Sequence, residues 1–379
     1  MAAGDLLKDQ LFNAEKVRSL SARFAAADPS FDHGAFETAV MSRLPELELK
    51  ARMDWIATCL AEAVPGPLER VGPIILRALP PPCDPTLSDG DFGDFIYAPL
   101  GEWVAARGGE EPDRALDLIE EITQRFSMEW AIRPLLNDHP ETVLARMESW
   151  VGHPHYHVRR LVSEGTRPRL PWGQGVDLAV STPLPLLDRL HADPTRYVTR
   201  SVANHLNDVT RNEPDLVIDR LGQWGRQGRQ KPDELTWMAR HALRGLVKSG
   251  HPDALRHLGF DPDAQITADL RLNGSARIGG ALDFTVSLIG PKDTPVLVDY
   301  IIHFRRPGGR ISAKTHKLKQ ARLSDTELVL EKRHKLKGDA TTFRLVPGTH
   351  RIEVQVNGRV RAEAAFDLLD AAEERHGGG

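Results

Sequence analysis

The chain has 379 residues, enough for two or three domains, and 27% of them are charged, which is ordinary for a soluble protein. No apolar run approaches the roughly 18 residues of a membrane-spanning helix, and the N-terminus lacks the basic start and apolar core of a secretory signal. The two cysteines, Cys59 and Cys83, are not spaced as zinc ligands. We therefore expect a cytoplasmic protein with no disulfide framework and no metal site.

The net charge of −4 is unevenly distributed. Residues 1–120 carry 11 Lys and Arg against 21 Asp and Glu, whereas residues 121–260 and residues 261–379 each carry 19 against 16. A polyanionic partner would therefore bind the second and third parts of the chain, where the balance is positive.

The N-terminal part of the chain shows the apolar period of α-helices. Pro65-Gly66-Pro67 ends a first group of helices, and a loop rich in Pro, Asp and Gly at 79–93 separates it from the next group. The predicted helical segments are LLKDQLF, AEKVRSLSARFAAA, FETAVMSRLP, LELKARMDWIATCLAEAV, APLGEWVAARG and ALDLIEEITQRFSMEWAIRPLL.

An internal repeat of 40 residues predicts the architecture of the middle of the chain. VRRLVSEG at 158–165, VTRSVANH at 198–205 and MARHALRG at 238–245 align at this spacing, and an amphipathic segment precedes each of them. Helix pairs that recur at about 40 residues are typical of HEAT-like repeats, in which neighbouring pairs bury one another's apolar faces. The same position of each pair holds an arginine: Arg160, Arg200 and Arg240. Such a row suits a phosphate backbone, although exposed arginines are also common on helices.

The first helix of this alignment is followed by a loop in which charged and aromatic residues are concentrated. Val158, Leu161 and Val162 form an apolar stripe, and Gly165 with two following prolines stops the helix. The remaining side chains of interest are Arg159, Arg160, Glu164, Arg167, Arg169 and Trp172. They form either a functional surface or, more simply, a surface ion pair beside a tryptophan that fills the core.

After about Asp261 the pattern changes to short β-rich runs separated by turns of Gly, Pro and Asn. Roughly seven strands in about 105 residues favour an immunoglobulin-like sandwich. We thus predict an all-α HEAT-like repeat domain at 1–261, an all-β sandwich at 262–370 and a disordered tail at 371–379. The predicted strands are ITADLRL, LDFTVSL, VLVDYIIHF, ISAKTHKL, ELVLEKRHKL, TTFRLV and HRIEVQV.

Residues 305–337 of the predicted sandwich hold eleven Lys and Arg against three acidic residues. This excess either adds to a nucleic-acid surface or protects edge strands from aggregation. The candidates for DNA contact are Arg305, Arg306, Lys314, Lys317, Lys319, Lys332, Arg333 and Lys335.

Motifs of several enzyme classes are absent from the sequence, namely GxGxxG, the Walker loop, HExxH and GxSxG. His153, His155 and His157 alternate along one segment but have no acidic or thiol ligand beside them. A helix that begins at the surface explains these histidines, and we predict no metal there.

Five motifs spread over the helical part point to a known superfamily: LLKDQLFNAEKV, LELKAR, FSMEWAIRPLL, HVRRLVSEGTRPRLPW and YVTRSVANHLND. Together they resemble the HEAT-like-repeat DNA alkylation-repair glycosylases, and the AlkC branch more than the AlkD branch. The resemblance covers essentially the whole chain, because the appended immunoglobulin-like domain is similar to that of many AlkC members.

This resemblance implies a DNA glycosylase that excises cationic N-alkylated bases, chiefly 3-methylcytosine and 3-methyladenine, in base-excision repair. Its partner would be double-stranded DNA containing alkylated bases, bound by a monomer, and no metal or organic cofactor would be required. Carboxylates suit the reaction because they stabilise an oxocarbenium-like sugar and accept a proton from the attacking water. A bacterial cytoplasmic protein, associated with the nucleoid by its function, is also implied.

The family pattern falls on five residues of this sequence: Asp208, Glu164, Glu129, Trp172 and Arg160. Asp208, expected just after a helix at 198–206, would lie nearest the sugar, with the two glutamates assisting. Trp172 would form a wall against the lesion, and Arg160 would hold a phosphate or orient a carboxylate. The plainer alternatives are a solvated Glu129, a core Trp172 and a turn residue at Asp208.

Two other function classes stay open at this point. A HEAT-like stack with a sandwich could bind damaged or branched DNA without cutting a bond, or it could be a scaffold for other proteins. Strong salt dependence of DNA binding would argue against the scaffold, and release of a free methylated base would distinguish the enzyme from the binder.

Overall fold

A computed structural model describes residues 7–338 and 343–371 of the chain. The chain forms two compact units, one of Met1–Glu213 with Gln223–Ala242, the other of Pro214–Gly222 with Leu243–Gly379. The boundary predicted at residue 261 lies inside the second unit. Of the tail predicted at 371–379, only Ala371 belongs to the described residues. In the described part, no helix is both long and apolar enough to cross a membrane.

Up to residue 257, the described residues form mainly helices. In order, its α-helices are α1 (Leu7–Leu11), α2 (Ala14–Ala27), α3 (His33–Met41), α4 (Leu49–Ala63), α5 (Leu68–Ala78), α6 (Ala98–Gly108), α7 (Pro112–Thr123), α8 (Ile132–Asp138), α9 (Pro140–Trp150), α10 (Tyr156–Gly165), α11 (Leu184–Leu190), α12 (Arg196–Val209), α13 (Pro214–Gln227), α14 (Pro232–Ala242), α15 (Arg244–Lys248) and α16 (Pro252–His257).

The helix pairs predicted from the 40-residue repeat are α9 with α10, α11 with α12, and α13 with α14, and the HEAT-like fold class is confirmed. Proline begins α9, α13 and α14, where its missing N–H costs no helical hydrogen bond. Within the first unit α10 packs on α12 and α12 on α14. This stacking buries the stripe predicted on α10, since Val158, Leu161 and Val162 are all 0% exposed.

Two sheets form the C-terminal immunoglobulin-like sandwich, which confirms the second part of the predicted fold. Their strands are β1 (Thr267–Leu272), β2 (Ala276–Arg277), β3 (Ala281–Ile289), β4 (Pro295–Arg305), β5 (Ile311–Arg322), β6 (Leu328–Lys335), β7 (Gly348–Val356) and β8 (Arg359–Leu369). The three-stranded sheet has the order β1-β3-β6, and the five-stranded sheet has the order β2-β8-β7-β4-β5. Alternating side chains from both sheets, such as Phe284, Val286, Ile302 and Val354, fill the core between them.

The strand assignment differs from the prediction in three places. The two-residue strand β2 was not predicted. TTFRLV is not a strand over 343–346, and its first two residues lie outside the described part. The long strand β8, which pairs with β7 over its whole length, was not predicted. Its sequence RVRAEAAFDLL contains three alanines, which have low strand propensity, so pairing with β7 overrides the local preference.

The short helices α15 and α16 pack within the second unit. Leu255 of α16, Phe260 and Leu297 of β4 form one apolar cluster. Gly250 and Gly358 approach so closely that a Cβ on Gly250 would lie 2.6 Å from the carbonyl oxygen of Gly358. The side-chain amide of Asn357 donates to the carbonyl oxygen of Asp261 at 2.9 Å. The segment between the last repeat helix and β1 is therefore part of the sandwich unit.

Two of the three histidines near the start of α10, His155 and His157, are not at the surface, and for them the sequence-based interpretation is wrong. His155 and His157 are 4% and 1% exposed, and their rings bind backbone carbonyl oxygens of Cys83, Thr123 and Asp91. Burial lowers the pKa of His157 to about 4, so its ring is neutral at physiological pH and has a single N–H, which donates to the carbonyl oxygen of either Asp91 or Thr123. These imidazoles tie loops to α10.

Candidate active site

Three carboxylates and two guanidinium groups alternate along one continuous chain of ion pairs in the first unit. Nη1 of Arg160 donates to Oε2 of Glu129 at 2.6 Å, and its Nη2 lies 3.5 Å from Oε2 of Glu164. Nη1 of Arg167 donates to Oε1 of Glu164 at 2.5 Å, and its Nε donates to Oδ2 of Asp208 at 2.9 Å. The structure thus brings together Glu129, Glu164, Asp208 and Arg160, which the sequence predicts as site residues.

Neighbouring helices of the stack supply these groups. Glu129 lies in the turn between α7 and α8, and Arg160 and Glu164 are one turn apart on α10. Arg167 follows the end of α10 by two residues. Asp208 is inside the last turn of α12, which extends to Val209 and not to residue 206 as expected. Because the 40-residue repeat stacks α10 on α12, side chains distant in sequence meet at one place.

The two arginines keep the central carboxyl ionised. Burial raises the pKa of Glu164, but Arg160, Arg167 and the Ser201 hydroxyl together outweigh it and hold the pKa below its usual value. Burial likewise opposes the charge of Arg160, but the carboxylates of Glu129 and Glu164 raise its pKa well above the usual value. The pairs stay charged because each charge compensates another in a poorly solvated place.

The carboxylates differ in how many of their oxygens are engaged. Both oxygens of Glu164 accept hydrogen bonds, Oε1 from Arg167 and Oε2 from Ser201. Glu129 accepts only at Oε2, from Ser127 and Arg160. Asp208 accepts only at Oδ2; among the described residues, neither its Oδ1 nor Oε1 of Glu129 has a hydrogen-bond partner. Glu129 and Asp208 can therefore each bind one more proton donor, such as a water molecule.

An exposed aromatic side chain lies in the loop after α10. Trp172 is 62% exposed, so it is not a core residue, and its φ of 62° is a backbone conformation that few non-glycine residues adopt. Its ring lies 6.2 Å from that of Trp130, whose indole N–H donates to the carbonyl oxygen of Pro171. With Phe95 and Met53 these rings border an apolar cleft. The exposed face of Trp172 lies beside this narrow cleft.

The buried side chain of Arg133 holds the loop that carries Trp172. Arg133 of α8 donates from Nη1 to the carbonyl oxygens of Gly165 and Arg167 at 3.0 Å, and from Nε to that of Gln174 at 2.5 Å. Burial, together with nearby Arg167, lowers the pKa of Arg133 to about 10. This arginine fixes both ends of the loop, which explains how the uncommon backbone at Trp172 is maintained.

The predicted row of arginines has three different environments. Arg160 is inside the ion-pair chain, and Arg200 is paired with Asp89. Arg240 is exposed on α14. Equivalent positions of the repeat therefore do not form a uniform phosphate-binding row, because acids from loops outside the repeat pair with two of the three.

The other arginines near α10, namely Arg159, Arg167 and Arg169, also differ in their environments. Arg159 binds Asp193 through Nε at 2.5 Å and Nη2 at 3.2 Å, and donates to the carbonyl oxygens of His153 and Pro154. It joins two repeats and is committed to the fold. Arg167 is committed to the ion-pair chain, whereas Arg169 is exposed.

Comparisons with known proteins place this arrangement in a family. The model of the C-terminal Ig-like domain of the uncharacterised protein YhaZ matches residues 267–370. The uncharacterised protein YhaZ of Bacillus subtilis is 31% identical over 367 residues, which are 95% of this chain and 98% of that protein. The chain belongs to the YhaZ family.

A solved structure shows which branch this YhaZ-family chain resembles. Pseudomonas fluorescens alkylpurine DNA glycosylase AlkC, bound to DNA containing an abasic site analog, matches with a TM-score of 0.82 and 29% sequence identity. The match covers 96% of this chain and 99% of that one. The resemblance to the AlkC branch with a C-terminal immunoglobulin-like domain is thereby confirmed.

Most of the basic residues predicted to contact DNA in the Ig-like domain of this YhaZ-family chain lie on two edge strands, whereas Arg305 ends β4 and Arg306 follows it. β5 is an edge of the five-stranded sheet and β6 an edge of the three-stranded sheet. Arg306 is partly buried against the rings of Phe304 and Phe343, and Lys332 is partly buried. The exposed members are Arg305, Lys314, Lys317, Lys319, Arg333 and Lys335. Their positions suit both DNA contact and protection of open edges, so contact with DNA stays a prediction.

Several neighbours of the ion-pair chain were not predicted. The Oγ of Ser127 lies between Arg160 and Glu129, and Ser201 donates to Glu164. The ring of Tyr197 lies 4.5 Å from the guanidinium carbon of Arg160. The aligned positions 157, 197 and 237 hold His, Tyr and Trp, and this aromatic recurrence is a usable sequence signal. The described residues contain no group of three His, Cys, Asp or Glu side chains placed to hold a metal.

Proposed function

We propose that this chain is a DNA glycosylase that hydrolyses the N-glycosidic bond of cationic N-alkylated bases in duplex DNA, chiefly 3-methylcytosine and 3-methyladenine. The observation that carries the proposal is the ion-pair chain, in which Glu129 and Asp208 each keep one carboxylate oxygen free. The likeness to an alkylpurine DNA glycosylase over nearly the whole chain supports it. The reaction would be a first step of base-excision repair in the cytoplasm.

The chemistry of the lesion makes carboxylates sufficient. An alkylated base with a positive ring charge is a good leaving group, so the enzyme must stabilise the oxocarbenium-like sugar and supply water to it. In our proposal Asp208 lies nearest the sugar and opposes the developing charge through its free oxygen, which also accepts a proton from the attacking water. Glu129, with its own free oxygen, assists from the neighbouring turn.

Glu164 and the arginines have an orienting role in this proposal. Both oxygens of Glu164 are engaged, so it is poorly placed to accept a proton from water. It instead fixes Arg167, whose Nε holds Asp208 by one oxygen and leaves the other free. Arg160 orients Glu129 in the same way, and we therefore assign it the role of carboxylate orientation over phosphate binding.

Trp172 is proposed as the aromatic wall for the cationic base. Trp172→Ala should lower the excision rate of 3-methylcytosine by about tenfold, because a desolvated cation–π contact contributes roughly 1–2 kcal/mol. It should also reduce the preference for methylated over unmodified cytosine. Trp172→Phe, which keeps an aromatic face, should retain most of both. Single-turnover assays compare duplexes that contain methylated or unmodified cytosine. Equal discrimination between them by wild type, Trp172→Ala and Trp172→Phe would argue against Trp172 as the aromatic wall.

DNA binding by the helical part should depend strongly on salt. With Arg159, Arg160 and Arg167 committed to ion pairs, we assign phosphate contacts to Arg169 and Arg240, and to Arg200 when it exchanges Asp89 for DNA. The logarithm of the binding constant should fall with that of salt concentration by about 0.9 per phosphate. Arg169→Gln and Arg240→Gln should each reduce this slope by about 1. A titration whose affinity is indifferent to salt would contradict the proposal.

The Ig-like domain is proposed as a second DNA contact through the two basic edge strands. Lys317→Glu combined with Lys319→Glu should weaken duplex binding by tenfold or more at low salt, since two phosphate contacts become repulsive. The matched control is Lys292→Glu. Lys292 lies in the turn between β3 and β4 and forms an ion pair with Asp325. If the strand variant binds DNA as tightly as the control, the lysines serve only to keep the edges soluble.

Release of a free base decides between an enzyme and a binder. Full-length protein is incubated with methylated duplex DNA, and the supernatant is analysed by mass spectrometry for 3-methylcytosine and 3-methyladenine. We expect both bases, together with abasic sites in the DNA. Tight, salt-sensitive binding without any released base would instead indicate a non-catalytic binder of damaged DNA.

A further inference from the structure

Both ends of the long loop between α5 and α6 are hydrogen-bonded to the same short segment, Gln124 and Arg125, which follows α7. We call residues 83–94 of this loop the strap. The backbone N–H of Cys83 donates to the carbonyl oxygen of Gln124 at 2.9 Å, and that of Asp94 donates to Arg125 at 3.1 Å. Gly93 has a φ of 75°, and a Cβ there would lie 1.8 Å from the Arg125 carbonyl oxygen. Only glycine fits at this approach.

The middle of the strap reaches the first turns of α10 and α12. The carbonyl oxygen of Asp91 accepts a hydrogen bond from the Tyr156 hydroxyl at 3.3 Å and lies 3.0 Å from Nε2 of His157. The carbonyl oxygen of Ser88 accepts one from the backbone N–H of Tyr197 at 3.0 Å. The Asp89 carboxylate pairs with Arg200. The strap thus joins two repeats close to Tyr197.

The ring of Tyr197 stands between the strap and the ion-pair chain. The Phe92 ring of the strap lies 5.4 Å from it, edge to face, and the His157 ring lies 5.1 Å from it. The guanidinium carbon of Arg160 lies 4.5 Å from the same ring. Phe92 is nevertheless 49% exposed, so it contributes little to a core. A loop this long without regular structure is uncommon unless it serves a function.

We infer that Tyr197 is a positioning residue of the reaction, held by the strap, and that its ring fixes the Arg160 guanidinium between Glu129 and Glu164. This inference rests on the proposed glycosylase function. Arg160 uses one N–H group on Glu129 at 2.6 Å and turns its other nitrogen towards Glu164 at 3.5 Å. Arginine and carboxylate groups frequently bind each other through two parallel hydrogen bonds, and in our inference the ring keeps Arg160 from turning into that arrangement on Glu129. That arrangement would occupy Oε1 of Glu129, the oxygen that is now free.

The test compares variants of the full-length protein on a duplex oligonucleotide that contains 3-methylcytosine. Tyr197→Leu should lower the single-turnover rate by about tenfold, the effect of losing a desolvated cation–π contact, and leave DNA affinity within about twofold. Tyr197→Phe should restore the rate, because the ring and not the hydroxyl holds Arg160. Trp237→Leu is the matched control. Trp237 is the repeat equivalent of Tyr197 and lies 3.9 Å from the guanidinium carbon of Arg196, outside the ion-pair chain, so its loss should not change the rate.

Each other outcome has a definite meaning. A wild-type rate in Tyr197→Leu, or an equal loss in Tyr197→Phe, overturns the inference. If Tyr197→Leu fails to fold, Phe92→Ala replaces it, because that exposed ring can be removed without opening the core. A Phe92→Ala rate equal to wild type then overturns the role of the strap. If wild type releases no base, the proposed function fails. A crystal structure of Tyr197→Leu still decides the inference, since Arg160 must then bind both oxygens of Glu129.

Discussion

Asp208→Asn is expected to lower the excision rate of 3-methylcytosine by about a thousandfold, equivalent to about 4 kcal/mol of transition-state stabilisation. The amide oxygen can still accept the hydrogen bond from Nε of Arg167, so the fold should survive with a loss of about 1–2 kcal/mol. The negative charge beside the sugar is lost, and the amide accepts a proton far less readily. Single-turnover excision measures the loss of rate and unfolding curves measure the loss of stability, with DNA-binding curves recorded alongside.

Two further variants make this result specific. Glu164→Gln should lose less activity than Asp208→Asn, since both oxygens of Glu164 are engaged in orienting contacts. Glu213→Gln changes an exposed carboxylate five residues after Asp208 and should be indistinguishable from wild type. Excision at the wild-type rate by Asp208→Asn would remove this residue from the mechanism. A collapse of thermal stability in parallel with activity would assign it to the fold.

Arg167→Met is expected to lower the free energy of unfolding by about 3–5 kcal/mol at pH 7, the usual cost of leaving buried charge uncompensated. The side chains of Glu164 and Asp208 are only 5% and 6% exposed, and each would lose its ion pair with Arg167. Methionine has a similar length, so packing is largely preserved. Denaturant unfolding of both proteins measures the difference.

The deficit of Arg167→Met should also depend on pH. In wild type the pKa of Glu164 lies below its ordinary value of 4.5, so its contribution is complete at neutral pH and declines only as pH falls through the lowered pKa. In the variant, burial still raises this pKa, and only Arg160 and the Ser201 hydroxyl remain to oppose it. Protonation then relieves part of the penalty, so the deficit should be smaller at pH 5 than at pH 7. An equal deficit at both values would show that packing, and not charge, is responsible.

The architecture could be predicted because periodicity reports burial directly. The 40-residue spacing of VRRLVSEG, VTRSVANH and MARHALRG predicted the three helix pairs, since each pair must bury the same face. The sandwich strands were found where apolar and polar residues alternate, as in β3. Strand β8 was missed because its three alanines have low strand propensity, and pairing with β7 makes it a strand.

The residues of the candidate site could be predicted, but the ion pairs that the charged residues form could not. Glu129, Arg160, Glu164 and Asp208 were found through resemblance, and the structure brings them together. The sequence does not reveal that Asp89 pairs with Arg200, because 111 residues separate them and no period relates them. Nor could it distinguish Arg159, which joins two repeats through Asp193, from exposed Arg169. Partners of a charge depend on loop paths, which local patterns do not encode.

The packing of α16 against β4 has a consequence for protease sensitivity. A segment between a repeat region and a sandwich is commonly flexible and is the first place that a protease cuts. Here Leu255 and Phe260 are buried with Leu297, and Asp261 is tied to Asn357. The segment should therefore resist limited digestion as well as the strands do. A fragment ending after Phe260 would expose this apolar cluster and become prone to aggregation. Fragments of the protein should therefore be designed with other boundaries.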